Sequence, residues 1–408
     1  MRKCPACGAN YDVLDALCPR CGRELPAPYE GWDGAGAAPR PDEGPIDADA
    51  LTAALLDGEV MPEDTLILSG AEVMLGDSSF NPGSVVITKG KITEVLSFPI
   101  NEPETGAGYA NLSGMILAAG FVDMSATLPA GRIDAETFTT LSRQAAARGV
   151  TALLPRIEAR SAEELAAVVE AFRAAQAQAV PGARLLGLRV ETPFRDPAMA
   201  SGDAFGFDDP RAQAMLALCE ANKDIIRLVT LAPELPGAFA SIHRLREAGI
   251  FVSLGVSAAD YDDTLEAIEA GATHVTRLFQ QMLPLQPLAP GLIGAALERD
   301  ELFTEFSADP AVLHPAIMSM LISAKGAERA LPAAPDGSPL TAVRTLVEAV
   351  GWDLTEALSM VAATPALCLG GKNFGSIEVG AVADLVILDQ ELNPLATLVG
   401  GGTVWQRE

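Results

Sequence analysis

From Thr65 onward, short runs of apolar residues alternate with longer segments in which apolar positions recur at helical spacing. The short runs read as strands near Gly120–Asp123, Thr151–Pro155, Leu185–Glu191, Ile225–Leu231, Phe251–Val256, His274–Phe279 and Phe303–Phe306. The periodic segments read as amphipathic helices over Glu136–Arg148, Ala162–Gln178, Pro210–Ala221, Phe239–Ala248 and Thr264–Ala270. Near-continuous apolar strands separated by helices imply a parallel sheet covered on both faces. Seven such strands in succession favour an α/β fold of the TIM-like (β/α) barrel type over an open sheet.

The flanks carry a different pattern. Thr65–Gly70 reads as a strand, and Ser84–Val95 reads as a hairpin turning at Lys89-Gly90. Gly375–Asp389 returns to short alternating strands, so 63–118 and 372–408 together predict a small β-sandwich domain beside a barrel over 119–371. Residues 26–62 are rich in Pro, Gly, Ala and Asp without a sustained period, the pattern of a flexible acidic linker. A short helix over Ala48–Leu56 is the exception expected within it.

Composition supports a large core: the 408 residues are 49% hydrophobic and 20% charged. The net charge of −26 repels nucleic-acid phosphates and anionic membranes across most of the surface. No stretch reaches the roughly 18 uninterrupted apolar residues of a membrane helix. Met1-Arg2-Lys3 leads straight into Cys4 without an apolar stretch, so a cytoplasmic location is expected.

Four of the six cysteines fall in two pairs, Cys4-Pro5-Ala6-Cys7 and Cys18-Pro19-Arg20-Cys21, each followed by glycine (Gly8, Gly22). A Cys-x-x-Cys turn presents two thiolates on one side of an ion, and two such turns complete a zinc tetrahedron. The glycines permit the left-handed backbone that brings amides toward the sulfurs. The first 25 residues resemble a zinc ribbon. A redox pair is the alternative, but it would open a helix in a βαβ setting, which this segment lacks. A closed four-thiolate site folds its module and does no chemistry, so structural zinc is expected. Arg2, Lys3, Arg20 and Arg23 make the module basic, either as a docking face for a protein partner or as solvated surface. Cys219 and Cys368 lie in apolar helical surroundings and read as buried thiols.

The body also resembles a family. Ala119-Gly120-Phe121-Val122-Asp123, Ala147–Pro155, Val190–Phe194, Val229–Glu234, Ser253–Ala258, Gly271–Phe279, Pro290–Ala296 and Gly375–Asp389 match, in order and spacing, motifs of the N-acetylglucosamine-6-phosphate deacetylase family of the amidohydrolase superfamily. The resemblance implies a barrel that hydrolyses an acetamide with a metal-bound water, and an Asp on the last strand that relays a proton to the leaving amine.

The chain departs from that pattern at the functional positions. The two histidines after the first strand are Ser125 and Thr127. His-Leu-Glu-Gly-Pro reads Arg189-Val190-Glu191-Thr192-Pro193, which keeps Glu191 at a ligand position. The next ligand histidines are Val256 and Arg277. Substrate contacts are replaced by Gln280-Gln281, Leu288 and Val312, and the catalytic Asp falls at Pro335 with Asp336 beside it as a remnant. Pro332 and Pro335 argue against a regular eighth strand, which is expected to be vestigial.

Glu191 alone supplies too few donors for a catalytic zinc, so no barrel metal is expected. Its place near Arg189 and Arg277 suits a salt-bridged carboxylate, with a residual metal role as the alternative. Of the histidines, His243 reads as exposed on a helix, His274 as a hydrogen-bonded strand residue and His314 as a helix-start cap before Pro315. The expected function is a catalytically inactive homologue that binds, regulates or scaffolds. The alternative is a metal-dependent amide hydrolase with a rebuilt site, to which Glu305 and Asp309 would bring oxygen ligands. Nucleic-acid binding by the ribbon alone is a weaker third reading. A small-molecule ligand and a homodimer are compatible with the resemblance.

Overall fold

In a computed structural model of the chain, the described residues are 2–3, 10–11, 65–101 and 107–407, the last stretch apart from 130, 132, 179, 192, 200–205, 335 and 372. The chain forms two compact units, Met1–Ile46 and Asp47–Glu408. In the first, Arg2–Lys3 pairs antiparallel with Asn10–Tyr11. Cys4, Cys7, Cys18, Cys21, the linker over 26–62, the helix expected over 48–56, Thr192 and Pro335 lie outside the described residues.

The second unit holds eight parallel barrel strands in sequence order. The first is Phe121–Asp123, and the second is Val150–Leu153 resumed as Arg156–Ile157. The third is Arg184–Leu185 resumed as Leu188–Val190, followed by Ile226–Leu231, Phe251–Leu254, His274–Val275, Phe303–Ser307 and Ala330–Ala333. Each pairs with the next. No ladder joins the eighth strand to the first among the described residues, so the sheet curls without closing along that seam.

The helices between the strands start where the sequence provides a cap. Asp134, Ser161, Asp209 and Asp260 each accept a backbone N–H in the first turn of the following helix, satisfying donors that the helix itself leaves free. Phe138, Phe172, Leu165, Met215, Ile242 and Leu254 belong to the apolar layer between helices and sheet. No helix among the described residues is long and apolar enough to cross a membrane.

Two strand expectations need correction. The eighth strand is present: Ala330–Ala333 pairs with Phe303–Ser307, with Pro332 opposite Phe306. Thr304 N donates to Arg329 O and Ala308 N to Ala333 O, so alternation turns position 332 to the unpaired side, where a missing N–H breaks no bond. The sixth strand, expected to reach Phe279, stops at Val275. Beyond it Arg277, Phe279 and Gln281 take left-handed backbone at φ 48°, 71° and 53°, which a strand cannot accommodate.

The remaining strands of the second unit, from Thr65–Met74 to Ile116–Ala119 and from Leu385–Leu388 to Gly402–Gln406, join in one eight-stranded sheet. The two segments meet where Leu385–Leu388 pairs antiparallel with Ile116–Ala119. The hairpin turns at Lys89 and Gly90, both at positive φ, as a two-residue hairpin turn requires. This sheet encloses its own apolar cluster, including Leu66, Leu68, Val73, Val85, Ile87, Leu117, Ile387 and Leu398.

Candidate functional site

At the carboxyl ends of the barrel strands a charged centre is assembled around Arg189, whose side chain is fully buried on the third strand. A guanidinium is costly in such a place unless its charge is met, and here both terminal nitrogens are paired while Nε has no hydrogen-bond partner. Its Nη1 donates to Glu305 Oε2 at 2.6 Å, Ser125 Oγ at 3.0 Å and Met124 O at 3.3 Å. Its Nη2 donates to Thr276 Oγ1 at 2.5 Å and meets Glu191 Oε1 at 2.9 Å. Ser125 and Thr276 pass the interaction on, donating to Glu305 at 3.1 and 3.0 Å.

Glu191 is held by three guanidinium groups: Arg189 and Arg277, each at 2.9 Å, and Arg156 at 3.4 Å. Burial opposes charge on Glu305, but the adjacent Arg189, with smaller contributions from His274 and Arg277, outweighs it and holds the carboxyl at about 2. Burial likewise opposes charge on Arg189, and Glu305 and Glu191 reverse that and raise it. Glu305 and Arg189 therefore stay ionised throughout the physiological range.

His274 lies beside it with Nδ1 2.6 Å from Ser253 Oγ and Nε2 3.8 Å from Glu305 Oε2. Burial pushes this histidine down to about 3, so near neutral pH it is uncharged and adds no cation to the centre.

A cavity of about 90 Å³ opens next to the centre, at the unpaired seam between the first and eighth strands. Asp123, Ser125, Thr127, Glu305, Leu331 and Ser338 are among its lining residues. Asp123 accepts one hydrogen bond there, from Ser125 N at 2.8 Å. Burial, only partly offset by that N–H and reinforced by Glu305, raises its carboxyl to about 6. Asp123 closes the Ala119–Asp123 motif, but its titration depends on a cavity that the motif does not reveal.

Other candidates are placed elsewhere. Asp336 is exposed, and its carboxylate accepts from Ser338 N at 2.9 Å and Thr341 Oγ1 at 2.8 Å, closing a helix-entry turn. Asp309 likewise accepts from Ala311 N within its own turn. Leu288 and Val312 are exposed. His314 caps the helix Pro315–Lys325 by accepting from Ala316 N, and His243 is exposed against Glu247. Cys219 and Cys368 are buried thiols whose ionisation is suppressed by burial. Arg156, which sequence reading passed over, reaches Glu191 because the second strand resumes after a break and pairs Arg156 with Arg189.

Residues 312–404 match the amidohydrolase family. The chain is 30% identical over 373 residues to N-acetylglucosamine-6-phosphate deacetylase of Bos taurus, covering 78% of this chain and 90% of the relative. It is likewise 30% identical over 352 residues to the enzyme of that name from Homo sapiens, covering 72% and 85%. The crystal structure of N-acetylglucosamine-6-phosphate deacetylase from Pasteurella multocida superposes with a TM-score of 0.75 at 25% identity, covering 84% of this chain and 100% of that one. The chain belongs to the amidohydrolase family, as a homologue of the N-acetylglucosamine-6-phosphate deacetylases.

That family is metal-dependent, and the residues present here do not fit a metal. Among the described residues no group of three or more His, Cys, Asp and Glu side chains comes together as a metal site. Glu191 is committed to guanidinium groups, Val256 has no donor, and Arg277 brings a positive charge. Val256 and Arg277 nevertheless hold left-handed backbone, at φ 54° and 48°. For a β-branched residue this is an unfavourable conformation, kept only where the surroundings impose it. The two strand ends retain their sharp turns although neither side chain can act as a ligand.

Proposed function

We infer that the barrel is a non-hydrolytic member of its family that acts as a binding or regulatory module. One observation carries this reading: the Glu191 carboxylate lies in ion-pair contact with Arg189, Arg277 and Arg156. A divalent ion brought to Glu191 would face three fixed positive charges, so neither Lewis-acid activation nor an acidified water is available at this carboxylate. The N-terminal module adds structural zinc on Cys4, Cys7, Cys18 and Cys21 and a docking face for a protein partner. The test is an assay for release of acetate from N-acetylglucosamine-6-phosphate, run with zinc, manganese or no added metal. The expected result is no turnover under any of these conditions. Metal-dependent turnover abolished by Glu191→Ala would overturn the reading.

A second reading, a hydrolase with a rebuilt site, draws on Asp123. Its half-buried carboxyl, raised to about 6 and lining a cavity, suits proton transfer near neutral pH. Turnover lost in Asp123→Asn and retained in Glu191→Gln would favour it.

A further inference from the structure

We propose that Arg189 is the barrel's built-in cation: it supplies the positive charge that Glu191 and Glu305 require, and its removal turns those carboxylates into a site for a hard divalent ion. The proposal goes beyond the non-hydrolytic reading, because it concerns what replaces the metal rather than whether amides are cleaved.

The geometry argues for it in three ways. One guanidinium joins the two carboxylates, meeting Glu305 Oε2 at 2.6 Å and Glu191 Oε1 at 2.9 Å. The other atoms it touches, Ser125 Oγ, Thr276 Oγ1 and Met124 O, are neutral oxygens. An all-oxygen shell with two carboxylates is the donor set that suits magnesium, calcium or manganese and gives zinc no soft ligand. No other permanent cation described lies within 4.0 Å of Glu305: Arg156 and Arg277 pair with Glu191 through Oε2, and His274 is neutral. Without Arg189 a buried carboxylate would stand uncompensated beside a second one, an arrangement that must protonate, unfold or take up a cation.

The shell is also anchored independently of the guanidinium. Thr276 Oγ1 and Ser125 Oγ donate to Glu305, while Arg277 and Arg156 hold the far oxygen of Glu191. The carboxylate and hydroxyl groups around the vacated volume therefore keep partners that fix their directions after the guanidinium is removed.

The test follows thermal unfolding of the full-length protein and its R189A, R189M and R189M/E191Q/E305Q variants, with and without Mn²⁺. Manganese is the probe because it prefers oxygen donors and leaves thiolate sites to zinc. The wild-type transition is expected to ignore Mn²⁺. That of R189A is expected to rise by about 5 °C or more at a concentration about 100 times the dissociation constant. This variant binds one Mn²⁺ per chain, and R189A/E305Q does not. If R189A folds only when Mn²⁺ is added, the same conclusion is reached. The triple variant, with no carboxylate left to compensate, melts above R189M. The proposal is overturned by wild-type protein that takes up Mn²⁺ in a manner lost with E305Q, by an R189A variant that ignores Mn²⁺, or by a triple variant no more stable than R189M.

Discussion

Glu305 and Asp123 line the same cavity from the seventh and first barrel strands, yet burial leaves them with opposite titration. Glu305 is held at about 2 and Asp123 is raised to about 6. The difference lies in the nearest cation. Arg189 stands 2.6 Å from Glu305, whereas Asp123 accepts from the Ser125 N–H, has no ion pair among the described residues and feels Glu305 as a like charge. Burial alone raises a carboxyl, and a guanidinium in contact overrides it at Glu305, whereas the weaker pull of Arg148 and Arg189 on Asp123 does not. The charged centre is thus a local construction, and at Glu305 it rests on one guanidinium in contact.

The most severe way to break the comparison is Arg189→Met. It leaves two buried carboxylates without their shared partner and is expected to cost about 3–5 kcal/mol in urea unfolding. Glu305→Gln is next, removing a charged hydrogen-bond partner of Arg189 at about 1–3 kcal/mol. Because the Glu305 charge helps raise Asp123, the same variant lowers the Asp123 midpoint, readable from the carboxyl ¹³C shift.

Asp123→Asn sharpens the contrast through its pH dependence. A carboxyl raised from 3.8 to about 6 on folding binds its proton more tightly in the native state. Its ionisation therefore costs nothing below the unfolded value and is fully felt above the folded one. The variant matches wild type near pH 4 and gains about 1–3 kcal/mol at pH 7.5, from about 1.4 kcal/mol per unit less a reduction for partial exposure. Glu305 contributes the opposite limb: its stability is present above 4.5 and lost as pH falls toward about 2. Smallest is Arg156→Ala, which removes the loosest contact to Glu191, at 3.4 Å from a partly exposed side chain. Its expected cost is below about 1 kcal/mol.

Much of the barrel was legible because local chemistry and tertiary position agree. Pro210–Ala221 is a helix with the bounds its period suggests, preceded by Asp209 as cap. The Lys89-Gly90 turn follows from a glycine between two strand-like runs, Gly90 taking positive φ without strain. Legibility ended where a residue's role depends on distant partners. Arg189 and Glu305 are 116 positions apart, and neither announces the other; a lone charged residue in an apolar strand was the available signal. The apolar run of the sixth strand continues past the strand's end because it does not record the left-handed turns at Arg277 and Phe279. In the eighth strand the prolines reveal a missing donor but not that Pro332 faces the unpaired seam.

The account's central claim, that a guanidinium rather than a metal provides the positive charge of the barrel centre, is tested most directly by metal analysis. Elemental analysis would be made on purified full-length protein and on its Cys4→Ala/Cys7→Ala variant. The predicted result is one zinc per chain in the first and none in the second. A metal equivalent that persists in the cysteine variant and disappears when Glu191→Ala is added would contradict the account.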